Sequence, residues 1–273
     1  MLRQALPDDP FLRWHLSPDA VHAAWTRGGA TGVLADRRRG RSLVVVGDPD
    51  DAADLVVEVL DEACPQVTTL VRGTPDLLRE RAPDVAARLV GGDDWDFFWT
   101  DAAPPQRVPV EDRVVRLAVG APGAPGPDDD AVRALLAASS ERPSARPGDE
   151  HAPDWWGVRH PDRPGDLLAC VAATTEDGGS APHLAALATH PGHRGRGLGG
   201  AVTAAATRDL LADHPVVTLG MYADNGPARR VYDRLGWRCS HRFSSRLVRG
   251  ARPGARAATS PRPARRGGRT VGT

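Results

Sequence analysis

The chain has 273 residues, of which 35 are basic and 35 acidic, so its formal net charge is zero and no global field directs it to nucleic acid or a membrane surface. With 41% hydrophobic and 26% charged residues it has the composition of a globular protein, with material for one large or two modest cores. It contains no apolar run of about 18 residues, the length that spans a bilayer, and residues 1–9 lack the apolar core of a signal peptide, so the expected location is the cytoplasm. Every basic residue is Arg, and Lys and Ile are absent. Cys64, Cys170 and Cys239 are widely spaced without a C-x-x-C pair, which reads as reduced core thiols with neither disulfide nor metal roles.

In chain order, Ser17-Pro18-Asp19 resembles a helix N-cap with proline at the first position. It predicts a helix ending at Gly28-Gly29, with Val21, Ala24 and Trp25 on one face. Strands at Gly32 to Ala35 and Ser42 to Val46 flank a basic turn, Arg37 to Arg41, read as a solvated hairpin tip. Asp50 to Ala63 has the spacing of an amphipathic helix with Leu55, Val56, Val59, Leu60 and Ala63 inward. Val67 to Val71 reads as a strand, Pro75 to Leu89 as a helix and Trp95 to Trp99 as an aromatic strand. Residues 1–103 thus form a first unit, and 104–113, opening on Pro104-Pro105, a linker.

The second unit, residues 114–249, begins with a strand at Val114 to Val119. Asp128 to Asp130 cap a helix running to about Ala138, and Glu141 to Pro153 is polar and proline-rich, a mobile loop. Strands follow at Trp155 to Val158, Asp166 to Thr175 and His183 to Thr189. The paired Trp155 and Trp156 read as core and cleft wall, with a stacking platform as the alternative. A helix from Leu198 to Leu211, a strand from Val216 to Tyr222 and a last strand ending at Val248 complete the unit. Residues 250–273 hold Arg, Pro, Gly, Ala, Ser and Thr without an apolar pattern, which predicts a disordered tail.

The loop Arg194-Gly195-Arg196-Gly197-Leu198-Gly199-Gly200 lies between the strand ending at Thr189 and the following helix. Glycines there let the backbone approach a ligand, and a helix N-terminus favours negative charge, so the loop is an anion site. Gly195, Gly197 and Gly200 also satisfy the dinucleotide pattern G-x-G-x-x-G, with Asp224 as the acidic partner. That reading needs further strand-helix units, and after Trp237 the chain offers one strand.

The continuation carries a second motif: Asn225, then Tyr232 seven residues on, then Gly236-Trp237. Together with Arg194, Gly197 and Gly199 it resembles the signature of the GCN5-related N-acetyltransferase (GNAT) family, over about Val114 to Val248. The resemblance implies an α/β (α+β) fold with a mixed, mostly antiparallel central sheet flanked by helices. It also implies acetyl-coenzyme A as acyl donor and an amine acceptor. The first unit lacks the glycine loop, so the whole is similar to the tandem arrangement of glycine-N-acyltransferase-like proteins with a degenerate GNAT-like N-terminal half.

On that resemblance, backbone amides of Arg194, Gly195, Arg196, Gly197, Leu198, Gly199 and Gly200 take the pyrophosphate. Leu187, Ala188 and Thr189 line the pantetheine arm, and the Leu187 amide polarises the thioester carbonyl. Tyr232 is the matched acid, and Asn225 holds the arm or caps the next helix. The family's glutamate position is occupied by His183, an imidazole able to take the amine proton; Glu176 is a weaker alternative, and His190 reads as structural. The expected reaction is direct attack of the amine in a ternary complex. Its alternatives are a silent coenzyme A-binding sensor or partner-binding module and, more remotely, a dinucleotide-binding protein. Neither a membrane nor a specific nucleic acid is expected as partner, and the assembly is a monomer or homodimer.

Overall fold

The computed structural model describes residues 8–38, 40–140, 143–175 and 179–250. The alternative base Glu176, Arg39 of the basic turn, Glu141 and residues 251–273 of the tail lie outside them. The order is α1 (Pro10–Trp14), β1 (Val21–Arg27), β2 (Ala30–Arg37), β3 (Gly40–Gly47), α2 (Pro49–Ala63), β4 (Val67–Val71), α3 (Thr74–Arg81), α4 (Pro83–Ala86), β5 (Leu89–Val90) and β6 (Asp94–Thr100). Then come β7 (Val114–Arg116), α5 (Asp129–Ser139), β8 (Asp154–Arg159), β9 (Leu167–Thr174), β10 (His183–Thr189), α6 (Leu198–Asp213), β11 (Val217–Tyr222), α7 (Gly226–Arg234) and β12 (Arg238–Val248).

All twelve described strands join one sheet, ordered β1-β2-β3-β4-β12-β6-β11-β10-β9-β8-β7, with β5 on β12. Only β3/β4 and β10/β11 are parallel, each pair spanning a single helix. The sheet is therefore mixed and mostly antiparallel, as the resemblance implies. It has none of the doubly wound parallel order that a dinucleotide fold needs.

The two halves interlock. The last strand of the first half, β6, lies between β11 and β12 of the second, while β12 itself pairs with β4. Alternate side chains of β6 feed opposite faces: Phe97 packs with Phe11, Val44 and Phe243, and Phe98 with Val202, Leu219 and Tyr232. On the Phe98 side the fully buried Asp96 accepts from Arg72 at 2.6 Å and from Arg229 of α7, whose guanidinium lies over the Phe98 ring.

Several expectations are corrected. The segment predicted as a helix from Ser17 to Gly28 is a short 3-10 turn, Pro18–Ala20, followed by β1. Ser17 makes no capping bond, and Gly28 at φ +50° turns the chain into a hairpin that pairs Trp25 with Gly32. The helix predicted from Pro75 to Leu89 breaks at Ala82-Pro83 into α3, α4 and the short β5, because Pro83 cannot continue the ladder. The strand predicted to Val119 ends at Arg116, and Asp128, instead of capping α5, accepts from Ala118 N and pairs with Arg159. Cys64 is exposed in a left-handed C-cap of α2, whereas Cys170 is buried, its thiol pushed up to about 12 by burial. Trp155 and Trp156 are core residues, their indoles donating to Ala152 O and Asp209, and neither lines the cleft described below.

Candidate active site

The parallel strands β10 and β11 are in register only at His183–Thr218 and Leu184–Leu219. On its other side β10 carries an irregularity between Ala185 and Ala188, which places Ala186 at φ +51° and takes Leu187 out of the ladder with β9. The bulge is held from the loop after α5, since Ala186 N donates to Ser144 Oγ at 2.9 Å. Where the ladder ends, a cleft of about 400 Å³ opens, lined by residues of both halves.

Of the residues singled out in the sequence, His183, Leu187, Asn225 and Tyr232 line this cleft. His183 is buried, with Nδ1 3.0 Å from Thr218 Oγ1. The Thr218 hydroxyl also reaches Pro182 O at 3.3 Å. Donation there lets it accept from His183 Nδ1–H, the tautomer that carries the basic lone pair on Nε2. Tyr232 is buried between Phe98 and Trp237, and burial pushes its hydroxyl well above the ordinary phenol range. Asn225 is the N-cap of α7, its Oδ1 accepting from Ala228 N at 3.1 Å.

Ala188 and Thr189 continue β10 beyond the cleft lining to the glycine loop. There α6 starts on Gly197 at φ +78° with no side-chain cap and no acidic residue in its first turn. A Cβ added at Gly195 or Gly197 would meet nothing within 4 Å, so open space faces the loop. Gly199 is closer packed, since a Cβ added there would lie 3.3 Å from Thr189 Oγ1. The amides from Arg196 to Gly200 therefore stand at an uncapped helix N-terminus that fits a pyrophosphate. The Arg194 guanidinium turns away to Thr189 O and Ser139 O, stapling the loop to α5. His190 accepts from Gly192 N and so shapes the turn before the loop, as its structural reading expects. Among the described residues no cluster of His, Cys, Asp and Glu is set to hold a metal ion, and no helix is long and apolar enough to cross a membrane.

Sequence reasoning named no residue of the first half as part of the site. His15, at the C-cap of α1, lines the cleft with its ring centroid 4.8 Å from that of His183. Arg37 donates to His15 Nε2 at 3.0 Å, and Trp95 lines the same space. The basic turn read as a solvated tip thus docks on the site, with Arg38 also reaching Ser144 O and His151. No local pattern marks His15; the richness in arginine of the turn was the one available signal.

Residues 163–245 match the family of FR47-like proteins. Among solved structures, a GNAT-family protein from Novosphingobium aromaticivorans is 20% identical, over 83% of this chain and 90% of its own, with a TM-score of 0.48. A Drosophila protein is 18% identical over 81% of this chain and 74% of its own, at 0.51. A GCN5-related N-acetyltransferase from Sphaerobacter thermophilus is 16% identical over 80% and 76%, at 0.48. No curated protein matches the chain.

Proposed function

We propose that this chain, a GNAT-family protein, transfers an acetyl or short acyl group from acetyl-coenzyme A to a small amine by direct attack in a ternary complex. The observation that carries the reading is the meeting, in one cleft, of the parted β10/β11 pair, the Leu187 bulge, His183 and Tyr232, beside a helix N-terminus left open by glycine. In this reading residues 114–249 hold the donor and residues 1–103 complete the wall on the acceptor side.

Bound acetyl-coenzyme A supplies an activated thioester. The amides of Arg194 to Gly200 hold its pyrophosphate, and the edge from Leu187 to Thr189 takes the pantetheine arm as an added strand. The Leu187 amide, fixed by the bulge before any charge develops, is aimed at the carbonyl oxygen. His183 Nε2 takes the proton of the incoming amine, and Tyr232 Oη carries the proton that the departing thiolate needs. Asn225 caps α7 and so holds Tyr232 in the cleft wall. The cleft volume, about 400 Å³, suits a small acceptor.

Calorimetric titration of the full chain with acetyl-coenzyme A, beside NAD, tests the donor, and thiol release with a panel of small amines tests the transfer. Micromolar binding of acetyl-coenzyme A without NAD binding supports the reading. Absence of acetyl-coenzyme A binding overturns it.

A further inference from the structure

Resting on that reading, we propose that His15 is a positioning residue for the transfer: held by Arg37, its ring packs on His183 and fixes the imidazole that takes the amine proton. The first half would then set the geometry of the second half's chemistry as well as walling the cleft.

Five elements meet at this point. His15 ends α1, a helix started by the Asp9 carboxylate accepting from Phe11 N and Leu12 N. Its ring is packed among Phe11 at 4.8 Å, Phe97 at 5.5 Å and His183 at 4.8 Å between centroids. Arg37, at the end of β2, donates to Nε2, so the His15 proton sits on Nδ1 and the ring is neutral. Burial first, and then the charges of His183 and Arg37, hold its proton affinity well below that of an ordinary imidazole. A ring that resists protonation is a poor base, which assigns His15 to holding rather than to accepting. On the opposite side His183 Nδ1 is tied to Thr218 Oγ1, and His183 Cε1 lies 3.8 Å from the place a Cβ would occupy on Gly220 of β11. His183 is thus gripped at one nitrogen and along one face. The other charged or titratable groups lining the cleft are Arg38, Asp93, Tyr222, Tyr232 and Arg246.

The test is a double-mutant cycle on kcat in the full chain, using His15→Phe, His183→Ala and the pair. Phe fits among Phe11 and Phe97, so folding is expected to survive. His15→Phe should lower kcat about ten-fold with KM for acetyl-coenzyme A unchanged. In the His183→Ala background it should have no further effect, because a residue that acts only through His183 has nothing left to act on. Additive losses, or an unchanged kcat in His15→Phe, would overturn the proposal. If His15→Phe does not fold, Arg37→Gln replaces it in the same cycle with the same expected outcomes. Nitrogen-detected NMR of the His183 ring reads the pair without turnover: His15→Phe should change its tautomer balance and pH titration, and an unaltered spectrum overturns the proposal. Failure of amine acetylation in the unmodified chain would instead count against the functional reading and leave the NMR result to decide on His15.

Discussion

Gly197→Asp separates the anion site from the fold. Gly197 is the N-cap of α6 at φ +78°, and a Cβ there meets nothing within 4 Å. The side chain is therefore accommodated sterically, and the cost is the left-handed backbone, about 1–2 kcal/mol for a residue with a Cβ. Against this, an aspartate at an N-cap accepts from the first-turn amides and returns about 1 kcal/mol. The net change in stability should stay within about 1 kcal/mol, a shift of roughly 2–4 °C in Tm for a chain of this size. Binding behaves differently. A carboxylate about 4 Å from one phosphate charge costs about 4 kcal/mol at an effective dielectric constant of about 20. Screening at this open edge brings that to about 2 kcal/mol, or roughly 30-fold in Kd. Isothermal calorimetry with acetyl-coenzyme A, run beside a thermal melt, checks both numbers. A folded variant with unchanged Kd would refute the placement of the pyrophosphate at this helix.

Three other perturbations follow from the same geometry. Tyr232→Phe should lower kcat by about ten-fold or more with little change in cofactor affinity, and because burial raises the Tyr232 hydroxyl above its ordinary value near 10, that group should produce no alkaline fall in kcat below about pH 10; unchanged turnover in the variant would remove Tyr232 as the acid. His15 is held below its ordinary value by burial first and then by the charges of His183 and Arg37. The unfolded chain therefore takes up a proton near pH 6.5 that the folded chain refuses, so its contribution to stability is complete above about pH 6.5 and falls by about 1.4 kcal/mol per pH unit below it. Urea unfolding between pH 7 and pH 5 should show that slope flattened in His15→Phe, and equal slopes would refute the assignment. Asp96→Asn leaves Arg72 and Arg229 without their shared buried carboxylate, which should cost about 3 kcal/mol, the lower end for a broken buried pair because both guanidiniums keep an exposed side; denaturant unfolding measures it, and a loss under about 1 kcal/mol would show that the cluster does not bind the halves together.

What was legible in the sequence is what short-range pattern encodes. β10 occupies the predicted span, His183–Thr189, and α6 starts at the predicted Leu198, because an apolar run, four glycines and the apolar residues that follow them all lie within a few turns of chain. Asn225 as a cap needs only its neighbours. The failures have a common cause. In β1 the apolar residues Val21, Ala24 and Trp25 match helical spacing, yet the chain gains a full hairpin ladder with β2, a partner no local window contains. The exchange of β6 and β12 between halves joins strands far apart in sequence. His15 reaches His183 only because α1 packs on the sheet face bearing Phe97 and Phe243.

The sheet also accounts for why one half offers a helix N-terminus open to an anion and the other does not. Both halves contain a parallel pair bridged by a helix, β3-α2-β4 and β10-α6-β11. In the second, the ladder covers two residue pairs and the helix begins on glycine with no carboxylate in its first turn. In the first, the ladder holds over four pairs, Ser42–Val67 to Val45–Leu70. The Asp48 carboxylate accepts from Asp50 N at 2.9 Å and Asp51 N at 3.2 Å, occupying the amides that an anion would need. Asp51 in turn accepts from Gly29 N at 2.7 Å, tying the hairpin turn after β1 to the same helix end. A phosphate arriving there would meet three carboxylates where the helix dipole alone would have favoured it. The first half thus spends its helix N-terminus on its own fold, and it reaches the cleft through Trp95 of β6, Arg37 and His15.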